Sequence, residues 1–489
     1  MANKKLELEK IVGAKHVVDN PKTLKAYSED CSFVASRKPE LLVKPANVDE
    51  VQRVVRWANE TSTPLVPLSS GEPHFRGDTI PSVDKAIIVD LGLMNRIIKI
   101  HRRNRYVIFE PGVTWGQLQL ELAKEDMYLP MPLLPRKTKS VLASLLEREP
   151  TLTPHHHWSL LDPLRCLEII WGNGDKLLTG EAGWSQGSLE EQWERHSDQV
   201  YGSGPGQVDY YRFMSGAQGT IGIATWGSAR CELLPKAKKL FFTSSENLGA
   251  LLDFTYRRFR LRFGDELLLL NRWNLASLIG ENANTICAIN TKLPAWVLIH
   301  TIAGYDRLPE ERVKFQEVDI INLAKEFGVQ LTQSIPGLEA EKVEKLLREP
   351  SKEPYWKIKN KGACQEIFFL TTLDKTPEFI KIIYSAAENA GYPTSEIGIY
   401  IQPQMQGGCC HCEFDLFYDP GNAGDKSKVK ELFSKASEEI ESCGGYFSRP
   451  YDIWKNTTYD KDNENTRVAQ KIKKLFDPNN VMNPNKLCY

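Results

Sequence analysis

Apolar positions recur along this chain with two different periods. Over residues 48–60, Val48, Val51, Val54, Val55 and Ala58 fall at helical spacing, with Asn47 or Asp49 placed to start the helix. A short apolar run at 64–68 and another at 86–91 predict buried strands on either side of a polar loop, 69–79. Residues 106–113 predict a further strand, and 115–126 a helix with Leu118 and Leu122 on its apolar side. The stretch 164–180 predicts a hairpin turning at Asn173-Gly174. The glycine-rich run 219–235 predicts two short strands.

Beyond residue 235 the pattern changes. Helices are expected over 244–262, 308–328, 376–391 and 429–445, and strands over 295–304, 366–372, 396–404 and 409–420. This order predicts a sheet with helices packed on one side. Residues 467–484 predict a final helix stopped sharply at Asp477-Pro478.

Composition narrows the classes. Hydrophobic residues make up 41% and charged residues 26% of 489, which is the balance of a globular protein with a large core. Lys+Arg is 62 and Asp+Glu 63, so the net charge of -1 argues against a nucleic-acid partner and against a polybasic membrane anchor. The longest aliphatic run, Leu267 to Leu270, is too short for a membrane span, and the charged first residues lack a signal-peptide core. A cytoplasmic protein is expected. The ten cysteines include no C-x2-C-x2-C run, so no iron–sulfur cluster of its own is expected.

The order of several segments resembles one known family. KPANVDEVQRVVRWANETSTPLVP (44–67), VDLGLMNRIIKI (89–100), EPGVTWGQLQLEL (110–122), LRCLEIIWGNGDKLLTGEA (164–182), SGAQGTIGIAT (215–225) and LFDPNNVMNPNKL (475–487) follow one another as in the vanillyl-alcohol oxidase / p-cresol methylhydroxylase (PCMH) superfamily of FAD-linked oxidases and dehydrogenases. The resemblance implies an α+β chain. A two-subdomain PCMH-type FAD-binding lobe (1–235) would be followed by a ferredoxin-like antiparallel sheet-and-helix cap that shapes the substrate site (236–445). A tail (446–489) would return to the FAD lobe.

It also implies FAD, held without a covalent bond, and assigns residues to it. Pro67, Ser69, Ser70, Gly71, Arg76 and Gly77 would form the pyrophosphate loop, where amides, hydroxyls and one positive charge converge. This loop departs from the common R-G-G-G-T form: only Gly71 and Gly77 remain. Pro111, Gly112, Ser140, Ala143 and Ser144 would lie nearby, the last two small residues standing where the family has paired glycines. Gly216, Gly219, Thr220, Gly222 and Ile223 would wrap the flavin, and Asn483 and Lys486 would reach it or its lobe from the tail.

Chemistry concentrates at 409–418. As a strand, its residues alternate: Cys410, Cys412, Phe414, Leu416 and Tyr418 share one face, and Cys409, His411, Glu413 and Asp415 the other. Two readings have specific content. His411 and Glu413, with Tyr400 and Gln402 from the preceding strand, could take a proton from a substrate hydroxyl while hydride leaves for flavin N5. Cys409, His411 and Glu413 could instead hold a divalent metal. A plain sheet face is the third. Arg449 could stabilise negative charge on substrate or flavin. His155, His157 and Arg272 complete the substrate candidates.

The reading is an FAD-dependent dehydrogenase of a hydroxylated small molecule, either a 2-hydroxy acid or a hydroxy-aromatic alcohol. Its electrons would pass to an electron-transfer flavoprotein, an iron–sulfur subunit or a cytochrome. A flavin-holding scaffold subunit of a larger redox complex is the alternative, and a homo-oligomer is left open.

Overall fold

The computed structural model describes residues 2–154, 162–185, 187–404, 408–461 and 463–488. After a helix, Ala2–Val12, comes a four-stranded sheet made of β1 (Val17–Val18), β2 (Leu41–Val43), β3 (Leu65–Leu68) and β4 (Ile87–Asp90), in the order β1-β2-β4-β3. The β2, β4 and β3 strands run parallel, so a crossover must join β2 to β3. That crossover is the helix Val48–Thr61, which buries Val51, Val54, Val55, Trp57 and Ala58. The Asn47 side chain caps its start by accepting from the Glu50 amide. Ser62, left-handed at φ 50°, ends it.

A second, five-stranded antiparallel sheet follows. It is built from β5 (Ile97–His101), β6 (Tyr106–Phe109), β7 (Leu164–Trp171), β8 (Lys176–Leu178) and β9 (Gly222–Arg230), in the order β5-β6-β9-β7-β8. The two short strands expected over 219–235 are chiefly one nine-residue strand, β9, with register shifts at Ala224/Trp226 and Gly227/Ala229. Gly227 is needed there: a Cβ would lie 2.7 Å from Leu142 Cδ1. Leu142 belongs to the short helix Val141–Leu146, which packs on this sheet.

The cap is a six-stranded sheet of β10 (Ala237–Ser245), β11 (Leu267–Asn271), β12 (Trp296–Gly304), β13 (Ala363–Thr371), β14 (Ile397–Gln404) and β15 (Cys409–Tyr418). Its order is β10-β12-β11-β14-β15-β13, and every pairing is antiparallel. Helices Gly249–Arg260, Thr376–Ala390 and Ala423–Ser442 cover one face. The other face also carries helices, Arg272–Ile279, Ala283–Asn290 and Ala340–Leu347, which corrects the one-sided arrangement expected. These cover Leu240, Leu268, Leu270, Val297 and Ile299, but stop short of His411, Glu413 and Glu366. The polar strip left on β13 and β15 therefore needs another cover.

The tail links the two halves. Tyr446 pairs with Leu370 through both of its backbone groups (2.8 and 3.0 Å), extending the cap sheet. Phe447, Tyr451 and Trp454 enter the cap core. After the helix Asn463–Phe476, the chain lies beside β3: the Leu65 amide donates to Val481 O and the Asn483 amide to Leu65 O, both at 2.7 Å. Among the described residues, no helix is long and apolar enough to cross a membrane.

Candidate active site

A cleft with about 220 Å³ of room for water-sized molecules separates the first lobe from the cap. Its lobe wall is built by the end of β3 and its loop (Pro67, Ser69, Ser70, Arg76), by Pro111 and Ala143, and by the approach to β9 (Gly216, Gly219, Gly222, Ile223). Tyr400 and Glu413 of the cap sheet and Arg449 of the tail form the facing wall.

The other residues expected at the cofactor shape this wall from behind. The Gly71 amide is taken by Thr138 O (2.9 Å), the Gly77 amide by Asp30 Oδ2 (2.7 Å) and the Gly112 amide by Met94 O (2.7 Å). Ser140 caps the helix Val141–Leu146 and donates to Pro111 O, while Ser144 accepts from the Trp115 indole. Thr220 donates to Ala217 O. Asn483 donates to Gln218 O, and the Lys486 ammonium is held by Gly77 O and Ile80 O, so both clamp the lobe. Arg76 lines the cleft, yet its guanidinium is committed to Glu147 (2.5 Å), Glu149 (3.1 Å) and Glu366 (3.4 Å). The positive charge expected of it is present and shared among these three carboxylates.

On the cap side, β15 alternates as its sequence predicts, with Cys410, Cys412, Phe414, Leu416 and Tyr418 in the core. Register places Tyr400 opposite Glu413 and Gln402 opposite His411. Only the first pair reaches the cleft. His411 is buried between Phe368 and Tyr400, and its Nε2 meets Glu413 Oε2 at 3.0 Å. Burial lowers its pKa, which keeps the ring neutral. Gln402 accepts from the Tyr400 hydroxyl (2.9 Å) and donates to Leu267 O (2.7 Å), within the sheet. Arg272 starts a helix elsewhere on the cap and pairs with Glu246, so it does not line the cleft. His155 and His157 lie outside the described residues.

The strongest grouping at the site is one that sequence reasoning missed. The Lys357 ammonium sits among Glu366 Oε1 (2.6 Å), Glu413 Oε1 (2.5 Å) and Asp415 Oδ1 (2.8 Å). All three of its donors are used. Burial opposes the charge on Lys357, but the three carboxylates outweigh burial and hold its pKa well above the ordinary value. Burial likewise raises Glu413, yet Lys357 and the bond from His411 hold it below the ordinary carboxylate range. Asp415 is left in excess and is pushed up to about 7, by burial first and then by Glu413 and Glu366.

This cluster also bears on a metal. Glu413 is brought together with Glu366 and Asp415, close enough to share one ion, while Cys409 is outside that group. His411 is outside it too, so of the three residues expected to hold a divalent metal only Glu413 belongs to the cluster, where the Lys357 ammonium now balances the carboxylates.

Glu366 could have been found from its place on an alternating strand, and Glu147 and Glu149 from the charged run 147–149. Lys357 sits on the single turn Trp356–Ile358, where no periodicity marks it.

The cleft does fit FAD. Four residues that line it have a buried polar atom without a partner among the described residues: His74 Nε2, Gln218 Oε1, Trp356 Nε1 and Arg449 Nη1. The glycines at 216, 219 and 222 keep the lobe wall flat and close-packed; a Cβ on Gly219 would lie 2.4 Å from Pro67 Cγ.

Comparison with known proteins agrees with this geometry. Residues 39–149 match the family model "FAD binding domain", and residues 371–487 match "FAD linked oxidases, C-terminal domain". The chain therefore carries an N-terminal segment and a C-terminal segment of the kinds described for FAD-linked oxidases. Its fold matches p-cresol methylhydroxylase with a TM-score of 0.81 at 19% identity, over 99% of this chain and 96% of the other. The 4-ethylphenol oxidase of Gulosibacter chungangensis gives 0.83 at 17% identity, with the same coverage. In sequence, the chain is 22% identical to D-2-hydroxyglutarate dehydrogenase of Stutzerimonas stutzeri over 98% of both proteins. The match to 1'-carboxy-chondrochloren decarboxylase of Chondromyces crocatus is 28% identical, but spans 35% of this chain and 31% of that protein. Of the segments that resembled the family in sequence, 44–67, 89–100, 110–122 and 215–225 contribute to the lobe wall, and FAD is the cofactor.

Proposed function

We propose that this protein oxidises a hydroxylated small molecule carrying negative charge, a 2-hydroxy acid or a phenolate-type alcohol, and passes the electrons to a separate acceptor. When bound, FAD supplies the hydride acceptor. The observation that carries the reading is Arg449. Its guanidinium stacks over Phe368 at 4.2 Å, the residue lines the cleft and is buried, and its Nη1 has no hydrogen-bond partner among the described residues. A buried cation of this kind favours an anionic ligand group. Burial and the nearby Arg76 press its pKa down, and an anion would relieve both.

In this reading Arg449 binds and orients the charged end of the substrate. Glu413, kept ionised and fixed by Lys357 and His411, takes the hydroxyl proton. His411 is a positioning residue, since it reaches only Glu413. The Tyr400 phenol, held neutral by burial, presents its ring to the cleft. Several relatives support the substrate class: they are named as dehydrogenases of D-lactate or D-2-hydroxyglutarate, and one as a 4-cresol dehydrogenase flavoprotein subunit. An electron-transfer flavoprotein, an iron–sulfur subunit or a cytochrome would serve as acceptor, because the ten cysteines are free and scattered.

The test is anaerobic bleaching of the bound flavin by a panel of hydroxy acids and hydroxy-aromatics. Arg449→Met is expected to raise KM for the active substrate at least tenfold, roughly the worth of one charged hydrogen bond. A yellow protein that no panel member bleaches would favour the scaffold reading instead.

A further inference from the structure

The cleft has cations on both walls, and most are spoken for. Arg76 and Lys139 are paired with Glu147 and Glu149, and Lys357 with its three carboxylates. Arg136 is not. It is 8% exposed and lines the lobe side of the cleft. Its side chain makes two described contacts: Nη1 donates to Gly71 O at 2.6 Å, and the guanidinium lies 5.6 Å from the centre of the Phe75 ring. Among the described residues, no carboxylate lies within ion-pair distance of it. Burial depresses its pKa, while Tyr355, Glu147 and Glu149 counter this only from a distance. An uncompensated buried guanidinium is costly unless something anionic meets it.

Two further observations set the kind of anion. Arg136 is bonded to the loop that follows β3, whose Gly71 and Gly77 amides are already used by Thr138 O and Asp30 Oδ2. The glycine amides of this loop are therefore not available as an anion cradle. On the same loop, His74 also lines the cleft, and its buried Nε2 has no hydrogen-bond partner among the described residues. Its pKa is pushed down to about 4, by burial first and then by Arg136 and Lys139, so it is neutral. A neutral ring can still donate one hydrogen bond.

We infer that Arg136, helped by His74, binds the FAD pyrophosphate and takes over the part that the glycine amides of this loop cannot play. Planar guanidinium donors suit phosphate oxygens, and their attraction compensates the buried charge. The inference rests on FAD being the cofactor, not on the substrate.

The test uses the full chain, stripped of flavin and titrated with FAD and with riboflavin, which lacks phosphate. Arg136→Met is expected to weaken FAD about 10- to 100-fold, the worth of one or two charged hydrogen bonds, and to leave riboflavin affinity unchanged. Unchanged FAD affinity, or an equal loss for both ligands, would overturn the inference. If Arg136→Met does not fold, Arg136→Lys decides the point. It keeps the charge but loses the planar fork, so a several-fold loss confined to FAD supports the inference and equal affinity sinks it. Because no substrate is present, the result stands apart from the activity test of Arg449.

Discussion

Asp415 shows how a single residue can set a pH response. It shares one ammonium with Glu413 and Glu366, and both of these have a second partner, His411 and Arg76 respectively. Asp415 Oδ2 is buried without one. A carboxyl in that position keeps its proton longer than it would in the unfolded chain. Its pKa of about 7 when folded compares with 3.8 as the ordinary value. Between these values the folded state holds the extra proton, so this group's contribution to stability falls as pH rises through the window and levels above it. Asp415→Asn removes the titration while keeping the shape. Denaturant midpoints at pH 5 and pH 8 should therefore differ less in the variant than in the parent. An identical pH dependence would show that Asp415 is ionised throughout.

At the scale of elements, what could be read from sequence followed periodicity. The helix Val48–Thr61 and the faces of β15 were legible because burial selects one side of a regular element. The two cap walls were not legible in full. Helices on the second face of the sheet cover only half of it, and no local pattern says which half. Lys357 was invisible because its partners lie 9, 56 and 58 residues away along the chain. Glycines carried more information. Gly219 has φ +69° and abuts Pro67, so the approach to β9 and the loop after β3 meet with no room for a side chain. Gly219→Ala combines an unfavourable backbone with an overpacked contact. It should cost about 1–3 kcal/mol and lower the flavin retained on purification. Melting curves and the ratio of flavin to protein absorbance measure both. A variant that melts like the parent and stays fully yellow would mean that Pro67 can move aside freely.

Across the whole molecule, the lobe, the cap and the tail meet at Arg76. Its guanidinium pairs with Glu147 and Glu149 of the lobe and Glu366 of the cap, and lies over the rings of Phe368 in the cap and Tyr451 in the tail, at 5.1 and 5.5 Å. Glu366 continues the network to Lys357 and so to Glu413 at the cap wall. One side chain thus ties the loop after β3 to the strip of β13 and β15 that the cap helices leave uncovered. It offsets acidic charge that would otherwise face acidic charge across the cleft. Arg76→Gln takes one cation from Glu147, Glu149 and Glu366, which keep Lys139 and Lys357, so the cost should fall below the about 3–5 kcal/mol of a buried charge left wholly unpaired. The loss should be local before it is global. Amide exchange should quicken in 366–371 and 446–454, where cap and tail adjoin Arg76, while β4 in the lobe sheet keeps its protection. If exchange rises evenly in both sheets, Arg76 contributes to general stability and does not join the lobes. If only the cap and tail loosen, Arg76 and its acidic partners help to close the cleft, beside the lobe-to-tail bonds from Arg148 to Ser448 O and from Gln218 to Pro450 O.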